Sequence, residues 1–261
     1  MTTEDKRLAA AWFDAITRMC DVTPKGWRAA HGDALALVSG GVIPALNVAA
    51  STTPDPGLAS RNALDEAAAH VAGTGLPWSI LVRGDASEPV AALAARHGLT
   101  ERSDQLLMGC AAADAVLPAG PVGSTLIRPI GAAENKVYTG ILAEGFGVPV
   151  HVFESLMGGD VLDAPGITGY LGETDGHLTA TGMGVQGDGA VGVFNISVVG
   201  SARSRGLGRA MTARVMADGF AAGADAAYLT PSQEGLPLYR SMGFRVIETW
   251  TTFSAGAGGP R

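Results

Sequence analysis

Hydrophobic positions in this chain follow two spacings, and the switches between them mark out its elements. Leu8, Trp12, Ile16 and Cys20 recur at i+4 spacing with Ala9 and Phe13 beside them, which predicts an amphipathic helix over residues 4–20, ended by Thr23, Pro24 and Gly26. DALALVSG (33–40) and VIPALNVAAS (42–51) are short apolar runs that predict strands, broken at Gly40 and Gly41, and TTPDPG (52–57) predicts a turn. Ser60 is placed to cap a helix whose buried stripe is Leu64, Ala67, Ala68 and Val71, closed by Gly73 and Gly75. WSILVRG (78–84) predicts a buried strand. Pro89 suits a first helical position, Val90, Leu93 and Ala94 form a short stripe ending at Gly98, and residues 99–110 read as extended.

Residues 111–124, AAADAVLPAGPVGS, carry neither spacing, so a domain boundary is placed there: a first domain over 1–112, a linker over 113–124, a second domain over 125–255 and a disordered glycine-rich tail over 256–261. Beyond the linker, LIRPI (126–130) predicts a strand. Val137, Ile141 and Leu142 predict a helix over 133–144, broken by Gly145 and Gly147, with a second short helix over 150–157. Residues 166–174 and 177–186 predict strands around Asp175-Gly176, a strong hairpin dipeptide, and Gly187-Asp188-Gly189 turns the chain into an apolar strand at Val193–Val199. A helix after Gly208 buries Met211, Val215 and Phe220 and stops at Gly223. A strand (225–230), a loop with a short helix (232–243) and a last strand (244–253) complete the pattern.

The stretch Val193–Ala210, VFNISVVGSARSRGLGRA, stands out. A strand, a loop with Arg203, Arg205 and Arg209, the glycines Gly206 and Gly208, and a helix start follow in succession. The first N–H groups of a helix lack intrahelical partners and sit at its positive end. Glycine removes the Cβ that would hold a phosphate away from them. The stretch therefore predicts a ligand carrying phosphate or pyrophosphate. The first half repeats its surroundings: LNVAAS, a helix, WSILVRG and ARHGLTERSDQLLMG parallel FNISVVGS, a helix, DAAYLT and LYRSMGFRVIETWTTF. Asn47 corresponds to Asn195 and Gly98 to Gly243, at offsets of 148 and 145 positions, which reads as an internal duplication. Where the second copy has ARSRGLGRA the first has TTPDPGLAS, so the first copy lacks the anion loop.

Composition narrows the ligand. The 261 residues are 47% hydrophobic with a formal net charge of −7, which argues against nucleic acid as a partner. Arginine clustered at 203, 205 and 209 in an acidic chain suits an anionic small molecule; Arg214 reads as part of a solvated helix face. No run reaches the roughly 18–20 apolar residues of a membrane span, and the N-terminus has no signal-peptide core, so a cytoplasmic protein without a membrane partner is expected. Two cysteines, Cys20 and Cys110, support neither a disulfide framework nor a metal site. A dinucleotide-binding turn is the main competitor for the glycines, with Asp225 as its ribose acid, but Met211 occupies its third glycine position.

With Arg203-Ser-Arg-Gly206-Leu-Gly208 after a strand, and LYRSMGF from Leu238 to Phe244 with Tyr239 31 positions after Gly208, the second half resembles the GNAT superfamily of N-acetyltransferases. The resemblance implies an α/β (α+β) fold with a mixed, mostly antiparallel central sheet flanked by helices, here in two similar halves, the first a degenerate copy serving as scaffold. It implies acetyl-CoA as cosubstrate, no metal, a primary amine of a small molecule or protein as acceptor, and a monomer or homodimer. It further implies that Ile196, Ser197, Val198 and Val199 hold the pantetheine arm through main-chain groups. The amides of Arg203, Ser204, Arg205, Gly206, Leu207 and Gly208 take the pyrophosphate, Arg203, Arg205 or Arg209 adds charge, and Ser232 touches the cofactor. Ile196 and Val198 equally suit core packing.

Tyr239 matches the family's general acid, beside the alternative of a packing tyrosine. The glutamate that some relatives carry on the central strand is missing, since residues 190–199 contain no Asp or Glu. Glu144, Glu154, Glu173, His151, or a water chain on Asn195 or Ser197 remain open as the base. Gly182 and Gly184 either leave room for substrate or mark a bulge. The missing carboxylate also keeps a second reading in play, an acyl-CoA-binding sensor without turnover.

Overall fold

The computed structural model describes residues 2–54, 56–118 and 124–256; the tail beyond 256 and the middle of the expected linker lie outside these. The chain divides into two compact units, and neither is a continuous stretch: one comprises Met1–Ala15 and Met108–Val246, the other Ile16–Leu107 and Ile247–Arg261.

In the second of these, α1 (Thr3–Val22) enters by its last turns. β1 (Trp27–His31) and β2 (Ala34–Val38) form a tight hairpin at Gly32-Asp33, and β3 (Asn47–Pro54) pairs antiparallel with β2. α2 (Leu58–Ala72) then carries the chain over to β4 (Ser79–Arg83), which runs parallel to β3. A parallel neighbour needs such a crossover, and its buried strand reads as a continuous apolar run. α3 (Glu88–Arg96) follows, and β5 (Leu99–Ala111) leaves the unit after Leu107. The stripe Leu64, Ala67, Ala68 and Val71 is fully buried, as are Val90 and Ala94, with Leu93 at 2%. Ser60 does not cap α2: Gly57 stands at the cap, and the Ser60 hydroxyl donates to Asp33 Oδ2 at 2.6 Å instead.

The other unit repeats this plan with additions. β6 (Leu126–Ile130) is followed by α4 (Asn135–Phe146) and α5 (His151–Met157). Then come β7 (Ile167–Thr174), β8 (His177–Gly187) and β9 (Ala190–Val198), each antiparallel to the last. Asp175 and Gly176, with φ of 53° and 80°, make the hairpin turn between β7 and β8. α6 (Leu207–Ala221) crosses over to β10 (Ala226–Leu229), which is parallel to β9. α7 (Leu236–Arg240) and β11 (Arg245–Ala255) end the described chain.

The last strand of each copy is exchanged. β10 pairs antiparallel with Met108–Ala111 of β5, and β4 pairs antiparallel with Trp250–Ser254 of β11. The expected mixed, mostly antiparallel sheet in two similar halves is thus present, with the closing strands traded between them.

Three expectations are corrected by packing. α4 runs through Gly145 and ends at Gly147 (φ 67°); it buries Tyr138 and Leu142 but leaves Val137 exposed. A Cβ on Gly182 would stand 2.6 Å from Met211 Cγ, and one on Gly184 3.2 Å from Val215 Cγ1, so these glycines seat α6 rather than substrate. Arg214 is no free surface cation: it donates to Asp218 at 2.9 Å and to the Ile127 carbonyl at 2.7 Å, and lies over the Tyr170 ring.

Candidate active site

β9 lies between α6 on one face and α4 on the other, and its two halves behave differently. Ala190, Val191 and Gly192 pair with Ala226, Ala227 and Tyr228 of β10, and there the pairing stops. From Val193 to Val198 the β10-facing edge of β9 has no strand partner among the described residues. The change coincides with crowding and a bulge. The Phe194 ring sits edge-on to Tyr228 at 6.3 Å, and a Cβ on Gly192 would stand 2.7 Å from Tyr228 Oη. On the β8 side the register slips between Thr181/Ser197 and Met183/Phe194, with Asn195 at φ 53°. A bulge of this kind bends the strand and re-aims its backbone groups.

Beyond β9 a 3₁₀ turn at Gly200–Ala202 leads to Ser204 (φ 62°) and Gly206 (φ 82°), the latter capping α6. The first backbone hydrogen bond of the helix runs from the Ala210 N–H to the Gly206 carbonyl. Among the described residues, the N–H groups from Ser204 to Arg209 therefore have no acceptor. Left-handed residues alternating with ordinary ones turn successive amides toward one point, and a 15-residue helix adds its positive end. A Cβ on Gly208 would meet only ordinary contacts, 3.6 Å to Leu238 and 4.0 Å to Val198, so no packing inside the protein demands glycine there.

The free edge and the free amides open into one cleft of about 770 Å³. Of the residues predicted from sequence, Ile196, Ser197, Val198, Arg203, Ser204, Gly206, Leu207, Gly208, Arg209, Ser232 and Tyr239 line it. Val199, which is buried, and Arg205, which is exposed, do not. Gly145, Phe146, Ala202, Glu234, Gly235 and Leu238 line it without having been singled out. An exposed aromatic at a helix end, Phe146 before Gly147, is the one local signal that pointed there.

Several side chains have other duties than expected. Arg203 donates from Nε to the Val198 carbonyl at 3.2 Å and from a terminal nitrogen to the Gly145 carbonyl at 2.5 Å. Arg209 is hydrogen-bonded to Ser241. The Ser232 hydroxyl accepts from the Gly235 N–H at 3.1 Å and so starts α7. Ser197 donates to the Leu142 carbonyl at 3.4 Å; a Cβ on Gly145 would collide with its hydroxyl, which is why glycine sits where α4 crosses β9.

Tyr239 packs edge-on to Phe244 at 5.9 Å, and burial pushes its phenol up to about 12, with a hydrogen bond toward Thr212 acting the other way. Glu144, His151, Glu154 and Glu173 are all off the cleft. Asp225, the ribose acid of a dinucleotide site, is instead paired with Arg7 at 2.5 Å.

The other copy shows what this geometry looks like when closed. By the correspondence of Asn47 with Asn195, the counterparts of Ile196, Ser197 and Val198 are Val48, Ala49 and Ala50. These pair in register with Ser79, Ile80 and Leu81 of β4. Further along, Arg83 donates to the Thr52 carbonyl at 3.0 Å and to Glu248 at 2.9 Å, both ends of the ion pair being 10% exposed. The edge that is free in β9 is zipped shut in β3.

The family model described as Acetyltransferase (GNAT) family matches residues 144–244. Among solved structures, the chain is similar to a GCN5-related N-acetyltransferase from Kribbella flavida, 21% identical, TM-score 0.73, with 99% of this chain and 98% of that chain covered. It is also similar to a conserved protein of unknown function from Staphylococcus epidermidis, 10% identical, TM-score 0.64, covering 90% and 96%. A third similar structure is a tandem GNAT protein from the clavulanic acid biosynthesis pathway, 12% identical, TM-score 0.56, covering 100% and 98%. No curated protein matches the chain significantly. No helix among the described residues is long and apolar enough to cross a membrane. The segment 144–244, which contains β9, the free amides and Tyr239, thus carries the match to the GNAT family model, and the chain as a whole shares the fold of solved GNAT and tandem GNAT proteins.

Proposed function

We propose that this chain transfers an acetyl group from acetyl-CoA to a primary amine, giving the N-acetylated amine and free CoA. The observation that carries the reading is the continuity of the cleft. The edge of β9 that no strand covers, with only its Val198 carbonyl taken by Arg203, leads directly to a nest of unpaired amides at the start of α6. That suits an extended, amide-containing arm ending in a pyrophosphate, and the uncovered strand edge has no counterpart in the closed copy, where Val48–Ala50 pair with β4. In this reading the amides of Ser204 to Arg209 hold the pyrophosphate, Ile196–Val198 hydrogen-bond the pantetheine arm, and a main-chain N–H of β9 faces the thioester oxygen, where it stabilises developing negative charge.

The magnitudes limit what Tyr239 does. A phenol held at about 12 is fully protonated at neutral pH and is always able to donate a hydrogen bond. Full transfer of its proton to a thiolate, with a reference pKa near 8.5, is uphill by roughly three units. Tyr239 therefore stabilises the departing sulfur by donating a hydrogen bond as the C–S bond breaks, and the proton that ends on sulfur comes from the amine nitrogen.

Calorimetric titration with acetyl-CoA, followed by a thiol-release assay over a panel of amines, tests the proposal. Binding together with amine-dependent release of CoA supports it. Binding with no release on any amine favours the second reading, an acyl-CoA sensor, which the lack of any carboxylate on β9 supports. No binding refutes both.

A further inference from the structure

We infer that Asn195 is the positioning residue for the acceptor amine: its Oδ1 accepts an N–H from the amine and aims the nitrogen lone pair at the thioester carbonyl. The inference rests on the acetyltransfer reading above and deepens it.

Asn195 occupies the bulge where β9 changes from paired to free, one residue before Ile196 enters the cleft. Its φ of 53° is a left-handed conformation, unusual inside a strand. Four neighbours hold it there, one of them the buried Tyr138 phenol, whose oxygen takes a hydrogen bond from the Asn195 side chain. The Asn195 carbonyl accepts from Thr181 Oγ1 at 2.9 Å, and its side-chain nitrogen points at two sulfurs, Met157 Sδ on α5 at 3.6 Å and Met183 Sδ on β8 at 3.8 Å. Thioether sulfur is a weak acceptor and no donor, so the amide nitrogen belongs on that side and the oxygen on the other. Oδ1 accepts no hydrogen bond from any described residue, although the half-buried side chain is fixed in place.

The corresponding residue of the closed copy, Asn47, makes the opposite use of the same side chain. Asn47 has an ordinary φ of −126°, and its oxygen accepts from the Ser39 N–H and hydroxyl at 3.1 Å. Its nitrogen donates to the Gly41 and Pro77 carbonyls at 2.8 Å. That asparagine is a spent clamp, whereas Asn195 keeps an acceptor in reserve beside the one edge that can carry a thioester.

The step balances without a proton on Asn195. The C–N bond forms from the amine lone pair, the C–S bond breaks, and the surplus amine proton passes by way of solvent to the sulfur. An amide oxygen is not a base and takes no proton from the amine, so only the fraction that is already unprotonated has the lone pair that forms the C–N bond. Amines of low basicity, such as α-amines, are therefore served better at neutral pH than lysine-like amines, whose free-base fraction is smaller by roughly two powers of ten.

Asparagine is favoured at positive φ for conformational reasons alone, and glycine serves that purpose equally well. Asn195→Gly therefore keeps the bulge and removes the oxygen. The assay is steady-state CoA release with glycinamide, benzylamine, spermidine and an Nα-blocked lysine peptide, with acetyl-CoA affinity measured in parallel. The expected result is a rise of about fivefold in the amine KM with acetyl-CoA affinity unchanged, the size of one neutral hydrogen bond. Asn195→Asp, which keeps an oxygen and adds charge, should lower the KM for cationic amines and move the rising limb of the pH–rate profile to lower pH. An unaltered amine KM in the glycine variant, or a preference of the wild type for the lysine peptide at pH 7, overturns the inference while leaving acetyl transfer intact. A wild-type protein that releases no CoA with any of the four amines overturns both.

Discussion

The Arg203 guanidinium donates to the Gly145 carbonyl at 2.5 Å, tying the last turn of α4 to the loop that opens α6. The arginine expected on the phosphates is thus a strut of the cleft wall. Arg203→Ala should cost only about 1 kcal/mol of stability, because the group is exposed. It should nevertheless weaken acetyl-CoA binding, because the wall loses its brace. The salt dependence of the dissociation constant separates strut from phosphate ligand: removal of a direct phosphate contact flattens it, and here it should stay as steep as in the wild type.

Gly206 and Gly208 make different predictions although they share a motif. Gly206 caps α6 at φ 82°, so Gly206→Asp adds both backbone strain of about 1–2 kcal/mol and a negative charge facing the anion site, and binding of acetyl-CoA should be lost. Gly208 lies within the helix with room for a methyl group. Gly208→Ala should raise thermal stability slightly, by up to about 1 kcal/mol from helix propensity, and still weaken acetyl-CoA, because the added Cβ stands on the ligand side. Unaltered affinity in the alanine variant would place the pyrophosphate elsewhere.

Tyr239→Phe removes a hydrogen bond to a developing charge and should lower kcat by about tenfold to a hundredfold with little change in acetyl-CoA affinity. The pH profile adds a second check. The phenol stays protonated until pH approaches 12, so it contributes no alkaline loss of activity below about pH 11. Because its folded pKa lies above the unfolded value near 10, the associated stability is complete below pH 10 and declines as pH rises from 10 to 12. A turnover limb near pH 10 that disappears in the phenylalanine variant would contradict the raised value.

The ion pair of Arg83 and Glu248 belongs to the closed copy and should affect folding alone. Both ends are only 10% exposed, so Glu248→Gln removes the charge that compensates the guanidinium and should destabilise the protein by about 3 kcal/mol. Differential scanning calorimetry alongside an acetyl-CoA titration at low temperature checks this. A large change in affinity without loss of stability would show that the copy takes part in binding.

Local chemistry made much of this molecule legible before its structure. The apolar stripes of α2 and α3, the Asp175-Gly176 turn and the order strand, arginine loop, helix at Val193–Ala210 are all properties of short segments, and short segments are what a sequence displays. The cleft residues that escaped notice depend on distant partners. Gly145 matters because Ser197 lies across from it, and Gly182 because Met211 does. The β1–β2 hairpin was missed because its first strand is only half-buried and lacks a clean alternation. The unpaired half of β9 was visible only as an implication of family resemblance, since nothing in the string FNISVV says where a neighbouring strand stops.

The exchanged last strands bear on how the chain is made. Synthesis delivers β4 well before the partner that it requires, Trp250–Ser254. Until then the nascent sheet has an exposed, apolar border at Ser79–Arg83, the kind of border that recruits other chains. Cutting the chain at its midpoint should leave each piece without its closing strand, which the other piece carries. That mutual dependence gives a physical reason why the copy with the closed edge is kept.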